Sequence, residues 1–351
     1  MIIGIADPLR FILDLLAFFS IYLMLSISLN LEYGYTGIPN FGKVLFFAGG
    51  AFIVGATTTR LLLLLMGLSS KNYCNFNVLY ASEVTNQLAS NPALSITTFI
   101  ALLIAGAAVG GLLGYVASYP AIRLRETYLG ITLLASGELL RIIARNYDPI
   151  ICGTLGVSVP DVFAWLPVNV KEIVQVVIML VVALLTWVFV ERLARSPFGR
   201  LIRAVRDNEI AAESYGKDVV KVRMKILVIG SAIAGIAGVL YALYVRSVHA
   251  DDFMPLRTFI VWVMVIIGGA GNNAGAAVGS FIYVLTERLI MQYKHYIIAP
   301  FDVNYVSYIV FGAILIAVLM FKPKGLLPEK PSRTLDFERI IRRIEKRKSH
   351  V

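Results

Sequence analysis

Apolar runs recur along this chain at lengths that a water-soluble fold rarely uses, and they constrain it more than any motif does. They fall at roughly 10–31, 44–67, 94–120, 127–145, 172–190, 226–245, 257–270, 276–291 and 304–321. Most can cross ~30 Å of hydrocarbon as a helix. Lipid offers no partner to backbone N–H and C=O groups, so runs of this length predict helices and not a barrel. The expected fold is all-α, a polytopic transmembrane helical bundle of roughly eight to ten spans. The pair of runs around 257–291 reads equally as full helices or as half-helices. A mean hydropathy of +0.78 and a charged fraction of 15% agree with that class.

Charge sets the expected topology. The net charge is +10, and its excess concentrates in the segment Glu191–Lys225 and in the tail after Phe321. That distribution is the positive-inside pattern of cytoplasmic loops, and it argues against nucleic-acid binding. With the 191–225 island inside, Lys43, the Arg123–Arg125 turn, Lys322 and Lys324 also fall inside. The longer loops 68–93 and 146–171, poor in Lys and Arg, fall outside. The N-terminus is then expected outside and the C-terminus in the cytoplasm of a cell-membrane protein. The first run has no small-residue cleavage pattern and reads as the first membrane helix. Residues 1–328 form one expected membrane domain, with 191–225 as its cytoplasmic coupling loop and 329–351 as a basic cytoplasmic tail. In that tail Phe337, Ile340, Ile341 and Ile344 repeat at helical spacing, which suits an amphipathic helix or a solvated end.

The island carries a short helix with both ends marked, expected over 207–216. Asp207 or Asn208 can cap its start through a side-chain oxygen, and Gly216 can take the left-handed closing position. Arg203, Arg206 and Lys217 flank it. A capped, charged helix between membrane spans reads as a docking element.

Chemistry is otherwise sparse. His249, His295 and His350 have no metal-ligand spacing, and no nucleophile-elbow pattern occurs, so a hydrolase or metalloenzyme is not expected. Two cysteines, Cys74 and Cys152, exclude a disulfide framework; both fall in outside loops, and a bond between them is left open. Gly37 to Val44 imitates a phosphate-binding loop, but Val44 has no hydroxyl and the segment lies between two spans. It reads instead as a break near a substrate path, with Gly37 and Gly42 as candidates. Glu138, Arg141 and Arg145 share one helical face and are expected to look toward a path or a partner helix, or Glu138 and Arg141 pair structurally while Arg145 snorkels at the helix end. The run Gly268-Gly269-Ala-Gly-Asn272-Asn-Ala-Gly275 cannot be helix interior and is expected as a turn or unwound stretch, which makes Gly268, Gly269 and Asn272 further path candidates. Stripes at Gly106, Gly110 and Gly114, at Gly230, Ala234 and Gly238, and at Gly271, Gly275 and Gly279 predict close helix packing.

These blocks together resemble the LivM-type membrane subunit of branched-chain amino acid ABC importers, over roughly residues 20–328. The resemblance rests on Gly34-Tyr-Thr-Gly37 to Phe47-Ala-Gly-Gly-Ala51 and on Arg123-Leu-Arg-Glu-Thr-Tyr-Leu-Gly-Ile131 running into Gly137-Glu-Leu-Leu-Arg141. Further blocks are Cys152-Gly-Thr-Leu-Gly156, Ser196-Pro-Phe-Gly-Arg200, and Arg203-Ala-Val-Arg206-Asp207-Asn-Glu209-Ile-Ala211-Ala212-Glu213 with Gly216. Gly268-Gly269 and Lys322-Pro-Lys-Gly-Leu326 complete the order. Ala211, Ala212 and Gly216 fit the E-A-A-x-x-x-G pattern of ATPase-docking helices, although Ile210 stands at the Glu position and Glu209 lies one residue earlier. Cys152 and the Asn272-Asn273 pair also depart from the family pattern. The resemblance implies a second, homologous (LivH-like) permease, two ABC ATPase subunits (LivG/LivF-like) that bind the ATP, and an extracytoplasmic substrate-binding protein. It implies no catalysis and no cofactor in this chain. A urea or short-amide importer permease remains an alternative. So does a stand-alone secondary transporter, which would need intramembrane carboxylates, of which Glu138 alone is expected.

Overall fold

The computed structural model describes residues 8–68, 72–123, 126–294 and 304–329. Every apolar run in the sequence is a helix or contains one. In chain order these are α1 (Pro8–Leu29), prolonged by a π-helical turn Asn30–Gly34, α2 (Lys43–Leu65), α4 (Pro92–Arg123), α5 (Glu126–Asn146), α7 (Val168–Arg195), α10 (Val219–Val245), α11 (Leu256–Gly268), α12 (Asn273–Tyr293) and α13 (Asn304–Phe321). Six of them, α1, α2, α4, α7, α10 and α12, are long and apolar enough to cross a membrane. The polytopic helical bundle expected from the sequence is the fold observed.

Between the expected half- and full-helix readings of 257–291, the structure takes one of each. α11 has 13 residues and spans about 20 Å, whereas α12 has 21. The expected turn lies between them, with Gly269 at φ +114° and Gly271 at φ +81°. Short elements fill the loops. Helix α3 (Asn77–Ser90) occupies much of loop 68–93, which the sequence reading left without structure, and α6 (Asp148–Ile151) begins loop 146–171. A two-residue strand β1 (Val157–Ser158) in that loop pairs antiparallel with β2 (Ser247–Val248) just beyond α10.

Helix α10 sits at the centre, against α2 and α4, and glycines make that contact possible. A Cβ at Gly110 of α4 would fall on the Ser231 carbonyl of α10, and one at Gly106 on the Val239 side chain. A Cβ at Gly50 of α2 would strike the Gly235 carbonyl, and one at Gly238 the Phe47 carbonyl. Close backbone approach supplies dispersion contacts where expulsion of water cannot drive helices together. Gly275 and Gly279 do the same for α12 against α11, through the Gly268 and Met264 carbonyls. Gly271 belongs to the turn and not to that stripe.

Cys74 and Cys152 are bonded to each other, with Cα atoms 5.3 Å apart. The bond ties the start of α3 to the end of α6, where Cys152 itself adopts a left-handed conformation at φ +56°. The pairing that the sequence left open is thus made, and it accounts for a cysteine at a position where the family pattern has another residue.

Candidate functional site

The basic island is two helices, not one. Ser196 caps α8 (Pro197–Asp207) by accepting from Gly199 N, and Pro197 occupies its first turn, where a missing N–H costs nothing. Asp207 therefore closes a helix instead of opening one. Asn208 is the cap of α9 (Glu209–Ser214), its side-chain oxygen accepting from Ala211 N at 3.0 Å. Gly216, at φ +73°, ends the element as expected. Lys217 N then donates to the Ala212 carbonyl, and Ala212 is the buried residue of α9. Glu209 pairs with Arg223 of α10 at 2.7 Å. Glu213 is exposed. Ile210, at the departure from the docking pattern, is 77% exposed and Tyr215 84% exposed. Among the described residues, nothing covers these two side chains.

Behind that surface lies a polar network that joins four distant segments. Arg206 Nη1 donates to the Gly34 carbonyl at the end of the π-turn. Arg206 also pairs with Glu329 at 2.9 Å, and Arg203 pairs with the same carboxylate at 3.3 Å while stacking over Tyr35. Burial works against the Arg206 cation, but the Glu329 and Asp207 carboxylates outweigh it and hold its pKa above the usual value. Glu329 is positioned by the segment after α13. Leu326 N and Leu327 N donate to the Ile267 and Gly268 carbonyls at 2.9 Å, so this segment closes the C-terminal end of α11. Asn272 caps α12 through Ala274 N and donates to the Pro328 carbonyl at 3.1 Å. Asn30 of the π-turn accepts from Gly271 N and donates to Asn273, and Asn273 donates to Glu191 at the end of α7. Asn273 thus links the π-turn of the first helix to the start of the island, and Asn272 links the turn to the segment after α13.

One turn away, Glu32 is fully buried, and Lys43 reaches both of its oxygens, at 2.9 and 2.8 Å. Asn40 adds a third bond to the carboxylate at 2.8 Å, and its carbonyl accepts from Trp262. A Cβ at Gly230 of α10 would fall on the Glu32 carboxylate, so a glycine makes its room. This adds to one expectation and corrects another. Lys43, expected on the inner side, lies 1% exposed beside its partner. Glu138 is not the sole carboxylate within the helices, because Glu32 and Asp14 also lie in the first helical rod. Glu32 was hidden at the edge of an apolar run, where hydropathy could not tell burial from exposure.

The expected path residues do not converge on one place. Gly37, at φ +80°, packs on the Arg206 side chain, so it belongs to the island network. Gly42 precedes α2, and a Cβ there would strike the Leu133 carbonyl of α5. Gly268, Gly269 and Asn272 build the turn described above. Glu138 and Arg141 lie at the opposite end of the bundle, where Arg141 makes paired bonds to Glu138 (2.9 and 2.5 Å) and another to Asp251. Arg145 reaches the same Asp251 at 3.5 Å. Asp251 lies on the short turn Ala250–Phe253 after β2, and nothing in the sequence spacing linked it to α5. The tail helix expected over 337–344 and the Arg123–Arg125 turn lie outside the described side chains.

A polytopic bundle whose basic loop is bonded into the π-turn of its first helix and into a helix-breaking turn has the build of a membrane permease. A family model described as branched-chain amino acid transport system / permease component matches residues 11–319, and the chain belongs to that family. It is 40% identical to a probable branched-chain amino acid transport permease protein LivM of Methanocaldococcus jannaschii, over 94% of this chain and 97% of that one. It is 26% identical to the high-affinity LivM permease protein of Escherichia coli, over 93% of this chain and 73% of that one. A probable LivH permease of M. jannaschii is 28% identical over 88% of each chain. No solved structure matches the chain.

Proposed function

We propose that this chain is the LivM-like permease of an ATP-driven importer, that it carries branched-chain amino acids (leucine, isoleucine and valine), and that α8 and α9 are where ATPase subunits dock. The supporting observation is the bonding of Arg206 to both Gly34 and Glu329. A push on α8 reaches the π-turn of α1 directly through Arg206, and reaches the end of α11 through Glu329 and the segment after α13. Closure of two ATPases around ATP would then shift α8 and rock the helices it holds, the ATP chemistry lying in those partners and not in this chain. A second, LivH-like permease would complete the path, and an extracytoplasmic binding protein would deliver cargo at the end bearing the disulfide. That assignment places the island in the cytoplasm and the Cys74–Cys152 loops outside.

Uptake into proteoliposomes tests the reading. The chain, reconstituted with its partner permease, ATPases and binding protein, should accumulate labelled leucine with ATP inside the correct compartment and should not accumulate urea. Urea uptake without leucine uptake would refute the cargo assignment, and leucine uptake independent of ATP would refute the coupling.

A further inference from the structure

At the end of the bundle opposite the island, α1, α7, α10 and α12 line a half-open cavity of about 480 Å³. Its volume falls within the ~300–1,000 Å³ of small-molecule sites. None of the family motifs contributes to it. Its polar wall carries both signs of charge: Arg10 and Asp14 of α1, Glu172 of α7, Arg246 just past α10, and Arg288 of α12. Phe11, Leu13 and Met291 supply an apolar side.

The deep charges are fixed in place. Asp14 accepts from Arg288 at 2.9 Å and from the Tyr244 hydroxyl at 3.1 Å. The Arg288 guanidinium lies 3.5 Å from the centre of the Phe18 ring, and its Nε is buried without a hydrogen-bond partner. Arg246 is held by Asp161 at 3.0 Å. The charges at the mouth are not fixed. Arg10 and Glu172 are both exposed, and neither has an ion-pair partner among the described residues. Charged groups at membrane depth are costly and usually serve a partner or a polar path. A lone anion would leave Glu172 and Asp14 facing it, and a lone cation would face three arginines. A ligand that carries both charges on neighbouring atoms meets neither penalty.

We propose that this cavity is an entry site that holds a free α-amino acid by its zwitterionic head. Arg10 and Arg288 take the carboxylate, Glu172 and Asp14 take the ammonium, and an aliphatic side chain lies against Phe11, Leu13 and Met291. The proposal rests on the amino-acid cargo assigned above.

This chain's two cysteines are bonded to each other, so an added thiol is its one free cysteine, and labelling is read on this chain after separation from its partners. Gln292 lines the cavity, and a Gln292→Cys variant of the assembled complex in nanodiscs reports on its occupancy through the rate of labelling by a small thiol reagent. L-leucine should slow labelling several-fold. Neither 4-methylpentanoate nor 3-methylbutylamine, which keep the side chain but carry one charge each, should do so at the same concentration. Adding Glu172→Gln or Arg10→Gln should raise the leucine needed for protection about ten-fold, the scale of one lost charge-assisted hydrogen bond.

Equal protection by the single-charge analogues, unchanged protection in both charge variants, or no protection by leucine would overturn the proposal. A labelling rate that responds to exchange of phosphatidylethanolamine for phosphatidylglycerol, and not to leucine, would assign the site to a lipid headgroup and overturn it too. Leucine uptake by the wild-type complex separates the two levels of failure. Uptake with an unprotected cavity removes the entry site alone, whereas absent uptake removes the cargo assignment.

Discussion

Removing Lys43 should destabilise the permease far more than removing Lys43 and Glu32 together. In Lys43→Met the Glu32 carboxylate keeps a single bond, from Asn40, while remaining fully buried. Breaking a buried pair by deleting one partner costs about 3–5 kcal/mol, because the survivor is an uncompensated buried charge. Replacing both partners with neutral groups of similar size is often close to neutral. Glu32→Gln keeps the side-chain volume and can still accept from Asn40, so the Glu32→Gln/Lys43→Met protein should recover most of the loss. The expected coupling energy is therefore at least ~2 kcal/mol, above the additivity error of about 0.5 kcal/mol for independent sites. Equilibrium unfolding in bicelles, titrated with a denaturing detergent and followed by the fluorescence of the three tryptophans, measures all four proteins. Additive single losses would show that the 2.8 Å contact has no energetic meaning and would remove the pair from the account of how α1 and α2 are held.

Three other sites give shorter predictions. Gly216→Val puts a β-branched residue at φ +73° with no atom near enough to clash, so it should cost at least ~1 kcal/mol through backbone conformation alone; the protein should insert normally while leucine-stimulated ATP hydrolysis falls, and unchanged coupling would remove Gly216 from the docking element. Cys74→Ser, Cys152→Ser and the double variant should lose stability equally, by up to about 4 kcal/mol for a closed loop of 78 residues; a melting temperature unaffected by reductant would contradict the bond. Arg141→Ala should destabilise more than Glu138→Ala, because it also leaves Asp251 with only the longer Arg145 contact, and the double Glu138→Ala/Arg141→Ala should cost less than the sum. Strict additivity in thermal melts would show that the cluster is not a structural unit.

Much of the fold was legible because apolar run length and helix are tightly linked in lipid, and the caps at Asn208 and Gly216 are local signals. What the sequence hid was long-range. Glu32 and Lys43 each look like residues at the edge of a span, and only the π-turn and the loop after it bring them face to face. Helix α3 was missed because its buried positions, Ala81, Val84 and Leu88, are scattered among polar residues and carry no run long enough to register. The island's division into α8 and α9 was written in Ser196-Pro197, a cap followed by a first-turn proline, and in Asn208, which caps a second start. Asp251, Asn273 and Glu329 lie far in sequence from the residues they bind, so no spacing rule could have paired them with Arg141, Asn30 and Arg206.

The claim at the centre of the account is that α8 and α9 meet an ATPase while the disulfide end meets the substrate-delivering protein. Photo-crosslinking from single positions in the assembled complex tests it most directly, with the probe at Ile210 on α9 or at Leu155, which is 65% exposed beside the disulfide. The account predicts that the Ile210 probe captures an ATPase subunit and that the Leu155 probe captures the binding protein. Capture of an ATPase from Leu155, or of the binding protein from Ile210, would invert the topology and contradict it.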